Sequence, residues 1–180
     1  DKEWMKRVVF DMREEANSAA ERGTAIHGAL EMKIQGRSYD SQFEGHVSGV
    51  AKLLLDHCGD SEWMPEKGIA SELGYGTKAD AFNDEWLIDF KTKDGDQSVM
   101  DSQKLYENHY MQLGATKACL PKNSLGVDRQ CAIVFVSRTD PGACSFVFAD
   151  ADKIEEGRDL FEATLKVWQL RSKHTPSWRQ

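Results

Sequence analysis

Three residues in one short stretch set a chemical problem. In "GTKADAFNDEWLIDFKTK", residues 76–93, Asp80 and Asp89 flank a turn and Lys91 follows two places after the second acid. Both flanks read as short strands, and strand side chains alternate between faces. Trp86, Ile88 and Phe90 then point one way, and Leu87, Asp89 and Lys91 the other. Asp89 and Lys91 share a face, roughly 6–7 Å apart along the strand. With a two-residue turn at Asp84 and Glu85, Phe82 opposes Leu87 and Asp80 opposes Asp89. Directly opposed side chains have Cβ atoms about 4.5–5.5 Å apart, and like charges at that distance repel. A longer or bulged turn would shift this register.

A divalent cation offsets such a repulsion directly. Mg²⁺ takes one or two carboxylates and keeps several waters, while Lys91 could hold a negatively charged nucleophile or a phosphate. Aspartates at exposed strand ends would simply face water. Phe82, Leu87, Ile88 and Phe90 instead imply burial, and Asp is rarely buried unpaired.

The elements that must position these residues follow from periodicity and punctuation. Trp4 to Glu21 reads as a polar helix. Arg22, Gly23 and Thr24 read as a break, with Thr24 as N-cap of a second helix to Ile34. Ile26, Leu30 and Ile34 form its apolar face, with His27 and Glu31 together on a neighbouring face. Phe43 to His57 reads as a helix with Val47, Val50, Leu54 and Leu55 apolar. Three strands follow, Ile69 to Leu73, Lys78 to Phe82 and Trp86 to Lys91, close enough for a meander. A helix from Asp101 to Leu120 can cross over to a buried strand in "CAIVFVS", continuous, apolar and β-branched. "CSFVFA" is a fifth strand. A helix from Asp152 to Arg171 closes the chain, with Ile154, Leu160, Phe161, Leu165 and Trp168 inward. This order predicts an α/β domain with a central mixed sheet flanked by helices. It forms one unit over residues 1–180: a helical part to residue 60, a sheet core over 66–150, and a closing helix and tail over 151–180.

Composition narrows the class. With 40% hydrophobic residues in 180, the chain can build one real core. The net charge of −7 argues against a protein that coats DNA non-specifically, though not against a local basic groove. After Ala163 the tail carries Lys166, Arg171, Lys173 and Arg179 and no acid, which reads equally as a solvated helix end or a DNA contact. Cys58, Cys119, Cys131 and Cys144 contain no CxxC pair, which argues against zinc and for reduced, mostly buried thiols. No apolar run approaches a membrane span of ~20 residues, and no signal peptide is visible. A soluble, cytoplasmic protein is expected, with no membrane partner.

"GTKAD…LIDFKTK" resembles the core of the PD-(D/E)xK nuclease superfamily, with Asp80 as first acid and Asp89, Phe90 and Lys91 as the D-x-K element. The wider pattern is similar to the RecB/Cas4-type exonuclease branch. An upstream helical histidine is matched by His27 in "GTAIHGALE", an acid before the G-x-x-D element by Glu72 in "IASELGYGTKAD", and a downstream glutamine by Gln112 in "ENHYMQLGAT". The matched elements run from Gly23 to about Thr116. The branch commonly shows Q-x-x-x-Y, whereas Thr116 stands in the Tyr place, with Tyr106 and Tyr110 on the same segment.

The resemblance implies a restriction-endonuclease-like fold. It implies a Mg²⁺- or Mn²⁺-dependent deoxyribonuclease with Asp80, Asp89, His27 and the Phe90 carbonyl as metal ligands. Lys91 would position or deprotonate the water, with Glu72 and Gln112 in supporting roles. Glu66, after Pro65, competes with Glu72. Tyr75, between two glycines, could stack a base or merely cover a turn; Lys93 and Tyr110 join it as expected substrate contacts. His46, His57, His109 and His174 show no ligand spacing with each other. Trp4, Trp63, Trp168 and Trp178 read as core or cover. The wide cysteine spacing predicts no iron–sulfur cluster. GxxxxGK[ST] is absent, so any helicase or recombination partner would be another chain. DNA ends or single strands are the expected substrate. A structure-selective endonuclease and an inactive DNA- or protein-binding scaffold are the alternatives.

Overall fold

The structure, a computed structural model, describes residues 2–122, 124, 126 and 128–174, with the backbone alone at 65–67. Its elements are α1 (Lys2–Ile34), a 3₁₀ turn (Ser41–Phe43), α2 (Glu44–Cys58), β1 (Met64–Ala70), β2 (Gly76–Phe82), β3 (Trp86–Lys93), α3 (Gln97–Asp101), α4 (Glu107–Cys119), β4 (Gln130–Ser137), β5 (Cys144–Ala149) and α5 (Ala151–Ser172). The five strands form one sheet in chain order. All neighbours are antiparallel except β3 and β4, which run parallel. The parallel step needs a crossover, and α3 and α4 supply it.

Helices cover both faces. On one, Ile26 and Leu30 of α1 and Val47, Val50 and Leu54 of α2 pack on Ile88, Phe90 and Val134. On the other, Leu113 of α4, Met100 of α3 and Ile154 of α5 pack on Leu87, Ile133 and Phe135. β4 is buried on both faces from Cys131 to Ser137, as its unbroken apolar run requires.

Several expected boundaries differ. No break separates two helices at Arg22, Gly23 and Thr24: α1 is continuous, and Thr24 Oγ1 donates back to the Ala20 carbonyl instead of capping. Gly23 serves close packing, since a Cβ there would lie 2.7 Å from Thr92 Oγ1 on β3. β1 starts at Met64 and ends at Ala70, so Glu72 and Leu73 sit in the following turn instead of the strand.

The single helix expected from Asp101 to Leu120 is two. Asp96 caps α3, accepting from the Val99 amide. α4 starts afresh after Tyr106, whose N–H donates to His109 Nδ1 at 3.1 Å. No Gly or Pro marks this interruption; Leu105 packs toward the core there, and tertiary packing overrides local propensity. Leu55, Leu160 and Trp168 are exposed, not inward, and so is Trp4. Trp63 packs partly on the core. Trp178 and Arg179, and the Glu66 side chain, lie outside the described residues. Among the described residues no helix is long and apolar enough to cross a membrane. Cys58, Cys131 and Cys144 are buried free thiols and Cys119 is half-buried.

α4 and α5 cross at backbone contact through two glycines. A Cβ on Gly157 would stand 2.5 Å from the Tyr110 carbonyl carbon, and one on Gly114 2.6 Å from the Ile154 carbonyl oxygen. Backbone atoms cannot swing aside as a side chain can, so Gly157→Ala must separate the helices. Overpacking of this kind costs about 1–3 kcal/mol. Gly157→Ala is expected to lower Tm by roughly 2–4 °C per kcal/mol lost, as read by thermal unfolding, while an exposed control, Ala163→Ser, stays within about 0.5 kcal/mol.

Candidate active site

The Asp84–Glu85 turn is the expected two-residue loop. Asn83 N–H donates to the Trp86 carbonyl, and Phe82 pairs with Leu87 and Ala81 with Ile88. Asn83 Oδ1 also accepts the Glu85 and Trp86 amides. The ladder then stops one step short of the expected Asp80–Asp89 pair. In an antiparallel ladder bonded pairs alternate, so continuing it would send the Phe90 N–H to Ala79. Instead Asp80 Oδ2 takes it at 2.8 Å. β2 and β3 fork, and a carboxylate closes the backbone bond at the fork. The Phe90 carbonyl lies on the same edge of β3 as its N–H and faces the fork as well.

Each face of the fork receives one helix. On the α1 side, His27 Nδ1 lies 3.9 Å from Asp80 Oδ2 and its ring meets Phe90 edge-on, centroids 6.2 Å apart. Gly23 sets this position. It lets α1 rest on Thr92, and His27 follows four residues on, about 6 Å along the helix. That matches the step of roughly 6.6 Å from Thr92 back to Phe90. Arg138 ties the same helix down, donating twice to the Asp94 carboxylate at 2.8 and 2.9 Å and once to the Ala19 carbonyl at 3.3 Å.

On the α4 side, Gln112 bridges the D-x-K pair. Its Nε2 donates to Asp89 Oδ1 at 2.7 Å, and its Oε1 accepts from Lys91 Nζ at 2.9 Å. The reverse amide orientation would put a donor on the ammonium and an acceptor on the carboxylate, so the network fixes the amide. Lys91 Nζ also sits 2.8 Å from Asp89 Oδ2 and is the ion-pair partner of that buried oxygen. Asp89 is only 6% exposed. Burial pushes its carboxyl pKa above the ordinary value; Lys91 pulls it down, Asp80 pushes it up, and His27 pulls it down.

The structure thus brings together His27, Asp80, Asp89, Phe90, Lys91 and Gln112. Among the described residues, no three His, Cys, Asp or Glu side chains gather closely enough to hold one metal ion between them. Two carboxylates, one on each face of the fork, suit a hard cation that keeps several waters, not an all-protein cage. A cleft of about 510 Å³ opens on the α1 side, lined by Thr24, His27, Lys78, Asp80, Thr92 and Arg138. Another of about 370 Å³ opens on the α4 side against Tyr75, Thr77, Met111 and Gln112. A larger cavity of about 570 Å³ between α1 and α2 shares only Phe90 with the fork and is lined largely by Leu30, Val47 and Leu54.

The other expected site residues stand apart. Glu72 is exposed in the β1–β2 turn. Tyr75 has its ring on Phe161 and donates its hydroxyl to the Ala115 carbonyl, so it locks α4 and α5 to the sheet while one edge lines the second cleft. The Tyr110 ring lies under the Lys153 ammonium, toward α5. Lys93 is exposed at the end of β3, on the Lys91 face. His109, set aside in the sequence for lack of ligand spacing with other histidines, stands three residues before Gln112 and has Lys91, Asp89 and Lys93 among its charged neighbours.

No protein-family model matches the chain, and no curated protein matches it. Among solved structures, the chain is similar to a crystal structure from Eubacterium rectale described as a "Putative exonuclease". The TM-score is 0.57 at 8% identity, over 86% of this chain and 69% of that one. At that identity the likeness speaks for the fold. With the mixed sheet and its flanking helices, it shows an α/β architecture consistent with a restriction-endonuclease-like core.

Asp89 gives a test of the electrostatics. Because its folded pKa is raised, the folded state holds a proton that the unfolded state releases, so stability falls as pH rises from the ordinary carboxylate value through the folded value. The carboxyl itself can be followed by ¹³C NMR of aspartate-labelled protein through a pH titration. The Asp89 signal is expected to titrate above the ordinary aspartate range, and Lys91→Met, which removes the nearest positive charge, is expected to move it higher still. An Asp89 signal that titrates at or below the ordinary value would contradict the raised pKa.

Proposed function

We propose that this chain is a metal-dependent nuclease that hydrolyses phosphodiester bonds. Its expected substrate is DNA ends or single strands, attacked as an exonuclease in recombination, repair or replication. The observation that carries the reading is the fork itself: Asp80 and Asp89 on diverging strands, with Lys91 and Gln112 in one hydrogen-bonded set. A structural core rarely buries that combination, because an imperfectly paired buried charge raises the free energy of the fold.

Asp80 and Asp89, with the Phe90 carbonyl, would hold Mg²⁺ or Mn²⁺ in a shell completed by water, with His27 as the neighbour of Asp80. The bound cation would lower the pKa of a water and polarise a phosphoryl oxygen. Lys91 presents ammonium donors at the same edge and can steady a hydroxide or an anionic phosphate oxygen. Gln112 fixes the direction of Lys91 through its Oε1 and of Asp89 through its Nε2, which limits reorganisation during reaction. Glu72 lies in a turn outside this set, so its contribution, if the turn bends toward substrate, is as a positioning group. A helicase or recombination protein on another chain would supply any motor activity.

The test is incubation with linear and covalently closed circular DNA in Mg²⁺, Mn²⁺ or EDTA. Cutting of the linear form alone, lost in EDTA, is the expected result. Cutting of closed circles would reassign the chain to the endonucleases, and no cutting with either metal would leave a binding scaffold. Lys91→Ala is expected to reduce cutting by at least about 10²-fold, the low end for a positioned acid–base group, while Mn²⁺ affinity by calorimetry stays within a few-fold. Cutting at the parental rate would remove Lys91 from the chemistry.

A further inference from the structure

His109 sits one helical turn before Gln112, on the same face of α4. Its ring stands edge-on to Phe135, centroids 6.0 Å apart, and Phe135 is the β4 partner of Lys91 in the parallel register. The imidazole therefore lies beside the Lys91 stem. Lys93 comes next along the same face of β3. Gln112 covers Asp89 and Lys91; His109 covers the next step outward, where the cationic groups are Lys91 and Lys93.

Its tautomer is fixed. The Tyr106 N–H donates to His109 Nδ1 at 3.1 Å. A backbone amide can only donate, so Nδ1 must be the unprotonated acceptor. In a neutral imidazole the other nitrogen then carries the hydrogen. Burial, followed by the positive charge of Lys91, holds the pKa below the ordinary histidine value, with Asp89 opposing and Lys93 adding to the effect, which favours the neutral ring. Two contacts set the ring plane, the capping bond to Tyr106 and the packing on Phe135. The remaining polar atom, Nε2, is an oriented N–H donor.

A neutral N–H donor next to two ammonium groups is suited to an oxyanion and unsuited to a cation. It has no lone pair to offer at Nε2, and its Nδ1 lone pair is taken. We propose that His109 is a substrate-binding residue whose Nε2–H donates to a non-bridging oxygen of the phosphodiester neighbouring the scissile one, with Lys93 supplying positive charge at that phosphate. The identity of this anion rests on the nuclease reading. The geometry of the donor does not.

The experiment uses the full chain with ¹⁵N-labelled histidine and the dinucleotide TpT, without metal. Long-range ¹H–¹⁵N spectra are expected to show His109 as the Nε2–H tautomer, and its Nε2 resonance is expected to shift saturably with TpT. His109→Phe keeps the ring on Phe135 but has no donor. It should weaken TpT binding roughly ten- to hundredfold, the worth of one hydrogen bond to a charged group, and raise KM on single-stranded DNA more than it lowers kcat. His109→Gln can still accept from the Tyr106 amide, since Gln at that third position of the helix is a natural capping partner, and its amide offers an N–H. It should recover part of the affinity as well as the stability.

An Nδ1–H tautomer would overturn the proposal. So would a folded His109→Phe protein that binds TpT like the parent, since a purely capping histidine would behave that way. If TpT shifts His109 in a parent protein that cuts no DNA with any metal, the nuclease reading falls and the phosphodiester contact stands.

Discussion

The bond from the Phe90 amide to the Asp80 carboxylate is the constraint on which the rest of the site depends. A strand pair cannot stay fully laddered and also open to a ligand, and a buried backbone N–H left without a partner is costly. Here the acid that opens the ladder also satisfies the amide it frees. The same substitution eases the charge problem posed by the hairpin. Directly opposed carboxylates would share one face with no separation between them. In the fork, Asp80 turns to the β3 backbone and His27, whereas Asp89 turns to Gln112 and Lys91. Repulsion persists, and Asp80 still raises the Asp89 pKa, but each acid has acquired partners of its own.

Two helices reach the fork from opposite faces, and packing without side-chain bulk brings each into position. α1 rests on Thr92 through Gly23, and the similarity of four helical residues to two strand residues in length carries His27 to Phe90. α4 is held from behind by α5 through Gly114 and Gly157. Tyr75 bolts the same helix to the β1–β2 turn. These contacts brace α4 independently of Gln112, and His109 adds the capping bond at the start of the helix. A site carried on helices braced in this way keeps its geometry better than one carried on loops.

The sheet was legible because its signals are local and strong. The apolar run of β4, the alternation in β3 and the two-residue turn each determine an element without help from distant residues. Phe82 opposite Leu87 followed from the turn alone. The divergence after Ala81 and Ile88 did not, since it depends on a side chain competing with a backbone carbonyl, and register arithmetic assumes the carbonyl wins. Gly23 misled for a related reason: a glycine in a helical pattern reads as punctuation, but here it admits a strand. The interruption between α3 and α4 has no Gly or Pro at all. His109 was set aside because ligand spacing was sought among histidines, while its neighbours are Gln112 on its own helix and Lys91 on the sheet.

The energetics set Asp89 apart from a stabilising surface ion pair. Had the residue been selected for stability, its carboxylate would be saturated with aligned donors and its pKa lowered, as Arg138 and Asp94 show near the same edge. Asp89 has the Gln112 amide, the Lys91 ammonium and, because burial outweighs both, a raised pKa. A chain that needed only a filled position there would do better with a hydrophobic residue of similar volume. What Asp89 has instead is a single counter-charge, the Lys91 ammonium 2.8 Å from Oδ2. Lys91 is about a third exposed, so its ammonium reaches solvent while Gln112 holds the acid in place. The buried charge that weakens the fold is thus held by two side chains alone, Gln112 from α4 and Lys91 from its own strand.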